Sequence, residues 1–365
     1  MHLTQLRVSG FRNIDQIKLS FPTRITVLNG DNAQGKTNIL ETISILSSLR
    51  SFRSTRVSDY LSPKRLQAHL EADVYSKATQ TTVGVIINDK GRRVHINGNS
   101  PTNLEDYLSL FQCVFFTPMD LDLSFGSQEM RRAYIDRAAF VEASIHLHLL
   151  RRYDKLLKHR NALLRDSRSE LSIWNQQLAE TGNSLRSERL KVTSKLNILV
   201  EAAHFEVTGG RENLNICWDK FVFTPNSGAE TLLRELETNE EKDRKIGHTT
   251  TGPHRDRLQL LLSGRDTRTH ASRGQQRTVA LSLKLALLRW TSEQIGENPV
   301  FVLDDPGSEL DAERLAFIGS FLDQWKGQVI IGCTNEANIR FKNSDTTSYY
   351  IVSGGDIEPV KPLNI

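Results

Sequence analysis

The sequence predicts an α/β protein: a mixed sheet with an antiparallel β region, assembled from both ends of the chain, plus a helical insertion lobe. Three observations point there. Strand-like pieces fill the first 118 residues and return after about residue 210. Between Pro118 and Pro225 there is no proline, and apolar residues recur with the period of a helix. A glycine-rich stretch ending in lysine-threonine, Gly30–Thr37, lies between a β-branched strand and a helix. Residues 1–118 and 210–365 are therefore expected to form one discontinuous head, with 119–209 as the insertion.

The elements follow in order. Residues 3–8 and 14–19 alternate, and Ile25-Thr26-Val27-Leu28 is a short strand that stops at Asn29-Gly30. Residues 37–49 place Ile39, Ile43 and Leu46 at helical spacing. From 69 to 97 strands return, with turn signals at Asp89-Lys90-Gly91 and Asn97-Gly98, and Cys113–Phe116 is a last strand before Thr117-Pro118. In the insertion, Leu147, Leu150, Tyr153, Leu157 and Leu164 form one stripe, and Leu171, Trp174, Leu178 and Leu185 another. Both read as core, and Ser167 with Glu170 reads as a capping box opening the second helix. His146 and His148 are two apart, so on a helix they face different ways and make a poor metal pair. Later strand-like pieces cover 214–221, 258–264, 300–305, 328–334 and 348–355, with helices near 274–295 and 312–325.

Composition bounds the class. The chain has 365 residues, 38% hydrophobic and 25% charged, enough to bury a sizeable core. Its three cysteines, Cys113, Cys217 and Cys333, are far apart and fit neither a disulfide framework nor a zinc ribbon, which suggests a reducing cytoplasm. No run of about 18 apolar residues occurs, so no membrane span is expected. Net charge is only +4, but basic residues cluster: Arg50, Arg53, Arg56, Lys64 and Arg65 in one place, and Arg131, Arg132 and Arg137, followed by Arg151, Arg152, Lys155, Lys158, Arg160, Arg165 and Arg168, in another. Such runs are commonly a solvated helix face. The sharper reading is an anionic polymer as partner, held through phosphates without base readout.

The chemistry starts at Gly30-Asp31-Asn32-Ala33-Gln34-Gly35-Lys36-Thr37, which fits G-x-x-x-x-G-K-[ST] in its strand-to-helix setting. Glycines let such a loop wrap a polyphosphate with backbone N–H groups inward, helped by the helix N-terminus. Lys36 is expected at the β/γ oxygens of ATP, and the Thr37 hydroxyl at Mg²⁺. The partner element is Val300–Asp305, a hydrophobic strand ending in two acids. Asp304 would hold Mg²⁺ and Asp305 would orient or deprotonate the attacking water. Ser272-Arg273-Gly274-Gln275-Gln276-Arg277 opens a helix upstream of that strand, and Ser308-Glu309-Leu310-Asp311 follows it. A serine-glycine-glutamine turn is a second anion cradle, and its physical use is in trans, each subunit closing on ATP held by the other. Together these motifs mark an ABC-type ATPase head.

Over almost its whole length the chain resembles the RecF family of bacterial recombination and repair ATPases, which is related to SMC heads. The resemblance rests on Phe11-Arg12-Asn13, the Gly30–Thr37 loop, Phe116-Thr117-Pro118 with Asp120-Leu121, and Arg131-Arg132. It continues through Trp174, Gly252-Pro253-His254-Arg255-Asp256, Ser272–Arg277, and Asp304-Asp305 with Ser308–Asp311. It implies an ATP-dependent homodimer that binds duplex DNA or junctions bordering gaps, and cooperates with RecO and RecR to load RecA in repair and SOS induction. It also implies that Arg12 and Asn13 lie near the nucleotide, that Asp305 stands in for the usual Glu, and that Ser272, Gly274 and Gln275 reach the other subunit's γ-phosphate. The chain departs from the family's pattern at Pro306-Gly307 before Ser308. It also offers no histidine after Gln328–Cys333, leaving Thr334 as the candidate γ-phosphate sensor.

Other readings share parts of this chemistry. A transporter subunit has the same head, but a basic insertion without a membrane-facing stripe argues against it. An SMC head fragment needs a coiled coil, and the insertion is too short and is broken near Ser167–Ser169. A small-molecule kinase has no use for Ser272–Arg277. A DNA clamp in which ATP acts only as a dimer switch stays open, because an Asp base one methylene shorter than Glu implies slow turnover.

Overall fold

The computed structural model describes every residue except 54–55, 64, 167–169, 220–227, 335–346 and 361–365. Ser167, half of the expected capping box, lies outside the described residues, as do Lys64 and Arg168 of the basic clusters. The chain divides into two compact units, Met1–Leu121 with Thr291–Ile365, and Asp122–Trp290.

The first unit begins with β1 (His2–Phe11), β2 (Ile14–Ser20), β3 (Ile25–Asn29) and α1 (Lys36–Ser48). β4 (Gln67–Ser76), β5 (Thr79–Asn88), β6 (Gly91–Ile96), α2 (Leu104–Leu110) and β7 (Cys113–Phe116) follow. Strands β2-β1-β4-β5-β6 form an antiparallel sheet in that order, with the inward/outward alternation expected of one covered face.

The second unit holds α3 (Asp122–Phe125), α4 (Gln128–Glu142), α5 (Ile145–Leu163) and α6 (Ser172–Thr208), then β8 (Leu214–Trp218). It goes on through α7 (Ala229–Thr238), α8 (Glu240–Ile246), β9 (Leu258–Leu262), β10 (Arg265–Asp266), α9 (Thr267–His270) and α10 (Arg273–Ile295). The first unit resumes with β11 (Val300–Asp304), α11 (Pro306–Glu309), α12 (Ala312–Gln324), β12 (Val329–Cys333), β13 (Thr347–Ser353) and β14 (Asp356–Val360).

The second sheet of the first unit runs β14-β13-β3-β12-β11-β7, all parallel except the edge strand β14. Its central strands β11 and β12 are buried throughout, which is why they read as unbroken apolar runs. Helix α1 packs on β4 and β5 of one sheet and on β7, β11 and β12 of the other. Lys36, Ile39 to Ser47 are all buried along it, so α1 is a core helix covered on every side rather than an amphipathic one.

In the second unit α6 packs against α4, α5, α7 and β8. Tyr153, Leu178 and Leu185 from the two predicted stripes meet Leu156, Leu232 and Leu236 in one apolar cluster. Helix α6 opens at Ser172 behind Leu171 with no side-chain cap, two residues beyond the predicted box. Residues 210–290 fall in this unit and not with the parallel sheet as the sequence boundary at 209/210 would have it. The reason is pairing: β8 hydrogen-bonds to β9, and the Trp218 indole donates to Thr193 of α6.

Arg160 is a correction. Predicted as a surface cation for DNA, it shares the buried face of α5 with Tyr153 and Leu156 and is fully buried. Its guanidinium donates to Asp243 (2.7 Å), Asn175 Oδ1 (2.7 Å), Thr249 Oγ1 (2.8 Å) and the Leu236 carbonyl. Arg131 is also buried, and its donors end on the Leu123, Ser124 and Leu258 carbonyls and Thr267 Oγ1, with burial pulling its pKa down to about 10. Among the described residues no helix is long and apolar enough to cross a membrane.

His254 sits between the Tyr153 hydroxyl (2.8 Å from Nδ1) and the Thr249 carbonyl (3.1 Å from Nε2). A neutral ring accepts at one nitrogen and donates at the other, and burial holds its pKa near 4, below the usual 6.5.

Two outcomes follow for this unit. Arg160→Ala strands the buried Asp243 carboxylate and should destabilise by about 3–5 kcal/mol in denaturant melts, whereas Arg160→Met with Asp243→Leu should recover only part of the loss, because Asn175, the Leu236 carbonyl and Thr250 lose their partners. An Arg160→Ala melt matching wild type would refute the buried pair. For His254 the depressed folded pKa means stability present above pH 6.5 and lost as pH falls toward 4. Wild type should lose on the order of 2 kcal/mol across that window that His254→Gln does not, read from melts at each pH.

Candidate nucleotide site

Strands β3, β12 and β11 lie side by side and parallel, so the loop after β3 and the acids ending β11 open at the same edge of the sheet. The loop takes backbone angles that explain its glycines. Gly35 has φ 121°, and at Gly30 a Cβ would sit 2.3 Å from the Val352 carbonyl of β13. Ala33 is also left-handed, at φ 64°. The turn between β13 and β14 grips the loop: Gly354 N–H donates to Gln34 Oε1 (2.7 Å) and Gly355 N–H to the Gln34 carbonyl (2.9 Å).

Lys36 is buried and curls back, donating to the Gly30 (2.5 Å) and Asp31 (2.7 Å) carbonyls. Burial lowers its pKa, against the opposing pull of Asp305, Cys333, Asp304 and Asp31. The Thr37 hydroxyl donates to Asp304 Oδ1 at 3.1 Å. Gly332, the β12 residue opposite Asp304, keeps this corner open, since a Cβ there would lie 3.1 Å from Leu40 and 3.4 Å from Asp304 Oδ1. Asp304 is buried, which pushes its pKa up to about 6. A desolvated carboxylate beside a hydroxyl is short of positive charge. One carboxylate plus one hydroxyl, completed by phosphate oxygens, is a donor set that suits Mg²⁺.

Asp305 takes the left-handed conformation (φ 46°, ψ 53°), its N–H held by the Gly332 carbonyl at 2.8 Å. Strain of that kind in a non-glycine residue often marks a working position. Pro306 opens the single turn α11, Ser308 Oγ donates to the Asp305 carbonyl (2.9 Å), and Glu309 is half-buried. Leu310 is core and Asp311 caps α12 through Arg314 N–H, so half of this motif has a structural task of its own. Thr334 is exposed just past β12.

Asn13 lies on the loop: its amide donates to the Gln34 carbonyl and its oxygen accepts from Asn38 (2.6 Å). Arg12 is engaged by α1. Its guanidinium makes a two-pronged pair with the fully buried Glu41 of α1 (2.5 and 2.7 Å), so its charge is spent inside the unit. Arg53, predicted for DNA, donates to Asn38 Oδ1 (2.8 Å) and lowers the pKa of Asp304, which places it beside this site. Arg50 and Arg56 are exposed. Glu41, an acid inside an apolar helix, and the Gly354-Gly355 turn were missed in the sequence. The acid alone carried a signal, because a buried carboxylate demands a partner.

The serine turn belongs to the second unit, at the start of α10. Ser272 and Gly274 are exposed, and Ser272 N–H donates to Gln275 Oε1 (2.8 Å) while Gln275 N–H returns to Ser272 Oγ (3.3 Å). On α5, Arg151, Lys155 and Lys158 share one face with Asp154, His159 and Ala162 around a depression of about 530 Å³. Arg152 is exposed on the adjoining face. His159 stacks on Trp174, centroids 5.0 Å apart, which gives that Trp a local use.

Comparison with known proteins fits this architecture. The family described as RecF/RecN/SMC N terminal domain matches residues 2–353. The DNA replication and repair protein RecF of Geobacter sulfurreducens is 34% identical, over 99% of this chain and all of its own. That of Halalkalibacterium halodurans is 32% identical, over 98% and 99%. A solved structure of the recombination mediator protein RecF with ATP, from the RecFOR pathway, superposes with TM-score 0.89 at 29% identity, covering 99% of this chain and 98% of that one. An Smc head bound to the C-terminal winged-helix domain of ScpA shares the fold, at TM-score 0.58 and 13% identity. The α/β head fold is thus common to both groups, and a match this complete to proteins of the same length makes the chain a member of the RecF family.

Proposed function

We propose that this chain is an ATP-binding, DNA-binding repair protein of the cytoplasm whose nucleotide closes two copies into a dimer. The observation that carries it is the Thr37–Asp304 contact, 3.1 Å, at the strand edge beside the Lys36 loop. Backbone N–H groups of Gly30–Thr37 bind the triphosphate, and Lys36 turns from the loop's own carbonyls to the β/γ oxygens. Mg²⁺ supplies charge neutralisation at the β/γ oxygens, and Thr37 and Asp304 are the residues that would hold it. Asp305 orients the attacking water and accepts its proton, but with one methylene less than the usual Glu it does so at a longer reach, so hydrolysis is slow and serves to reset the dimer more than to supply work.

The exposed Ser272–Gln275 turn is the part of the chain free to meet a nucleotide held by another copy. Family membership, and a relative described as a recombination mediator in the RecFOR pathway, support a role beside RecR and, through it, RecO; RecA loading at gapped duplex is the step this role would serve. Exposed Arg50, Arg56, Arg151, Arg152, Lys155 and Lys158 are the candidates for DNA phosphates. A clamp that switches on ATP without significant turnover is the second reading, favoured by the absence of a Glu after Asp304.

Mass in solution with ATP or ADP, with and without gapped duplex, tests the dimer. Wild type should double in mass only with ATP, Lys36→Arg should not, and Ser272→Arg should bind nucleotide yet stay single. A wild-type chain that remains single at saturating ATP and Mg²⁺ on DNA would refute the reading. For DNA, Arg151→Ala/Lys155→Ala/Lys158→Ala should shallow the slope of log affinity against log salt by about 2–3, near 0.9 per lost phosphate contact. An unchanged slope would remove α5 from the interface.

A further inference from the structure

One acid beside the serine turn has a role that neither the motifs nor the family assign. After α6 the chain reverses through Gly209 and Gly210, both at positive φ, and delivers Glu212 to the start of α10. The Gly210 N–H closes back on the Phe205 carbonyl at 2.9 Å, so the reversal is tight. Glu212 Oε1 accepts from Gln275 Nε2 at 2.5 Å, while its other oxygen faces His204 Nε2 at 3.8 Å. His204 is anchored in turn by Ser282 of α10, 3.0 Å from Nδ1.

We propose that Glu212 is a positioning residue for the serine turn, setting Gln275 so that Ser272 is presented to the γ-phosphate held by another copy. This rests on the trans reading given above. The physical argument is one of donors and acceptors. An ionised carboxylate only accepts and a backbone N–H only donates. With Glu212 on one side and Ser272 N–H on the other, the Gln275 amide has one permitted orientation: NH₂ toward Glu212, oxygen toward Ser272. That orientation closes the reciprocal Ser272–Gln275 cap, in which Ser272 Oγ accepts from Gln275 N–H. Because its oxygen is the acceptor there, the serine keeps its hydroxyl proton for an outside acceptor. Arg273 and Gly274, exposed in the first helical turn, carry N–H groups with no acceptor within the helix. The turn is therefore ordered before nucleotide arrives, so its ordering entropy does not oppose dimer closure.

The test is ATP-dependent dimerisation by light scattering, run on wild type, Glu212→Ala, Glu212→Gln and Ser272→Arg, with ATP affinity of the single chain and thermal melts alongside. Glu212→Ala should need about tenfold more chain to dimerise, the size of one charge-assisted hydrogen bond, with single-chain ATP affinity unchanged. Glu212→Gln, whose amide oxygen accepts the same bond, should restore dimerisation to within about threefold of wild type. A purely structural role would lower the melt and leave the Gln variant no better than Ala. Should Glu212→Ala fail to fold, Glu212→Leu keeps the bulk without the acceptor and carries the same expectation. Normal dimerisation of Glu212→Ala while Ser272→Arg fails overturns the role of Glu212 alone. Tighter dimers from both Glu212 variants also overturn it, since the carboxylate would then be a repulsive gate. If Ser272→Arg dimerises like wild type, the trans reading itself falls, and Glu212 has nothing to position.

Discussion

The first unit depends on the burial of α1 between two sheets. Ile39, Leu40, Ile43, Ile45 and Leu46 are each fully buried, and each contributes about 1.5–3 kcal/mol relative to exposure. A helix clamped on both sides cannot shift along its axis without opening packing on an antiparallel and a parallel sheet at once. Its N-terminus is therefore a fixed point, and Lys36 and Thr37 stand there. The Glu41–Arg12 pair locks the same helix from within, since a carboxylate at zero exposure holds its partner by the cost of leaving it unpaired. Arg12 and Tyr60 stack as well, with the guanidinium 5.9 Å from the ring, so the segment after α1 is tied to the helix it follows.

The second unit is organised by buried arginines. Arg160 meets Asp243, Arg186 makes a two-pronged pair with Asp256, and Arg189 bonds Asp136, which also accepts from His146. These pairs join α4, α5, α6, α8 and the Gly252–Asp256 segment. Through Arg189 to the Pro253 carbonyl and Arg186 to Asp256, that segment serves as a scaffold for the helices. Guanidinium suits the task because one planar group satisfies several acceptors in a dry interior. The consequence for function is subtraction: every arginine that stabilises this core is one fewer available to a polyanion.

The loop's geometry was legible because it is local. A tight strand-to-helix loop of this kind needs glycine at particular torsions, and those glycines, with lysine-threonine at the helix start, all lie within Gly30–Thr37. The strands beside it were legible for a similar reason, since β11 and β12 are buried on both faces and so must be apolar throughout. The predicted stripes through Tyr153, Leu178 and Leu185 were legible as core. What periodicity could not separate was Arg160 from Lys155, five residues apart on α5. Which cation is buried depends on Asp243, eighty-three residues downstream.

The sequence alone therefore determined the class of fold, the glycine-rich loop before α1, the acidic end of β11 and the existence of a serine turn, because each is written in neighbouring residues and their periods. Only the tertiary structure decided which charges work and which merely hold the molecule together. It sent Arg12 to Glu41, Arg53 to the nucleotide corner, Arg160 into the core, and Glu212 to Gln275. A charged side chain acts according to the partner that desolvation forces upon it, and that partner is chosen by packing between segments far apart in the chain.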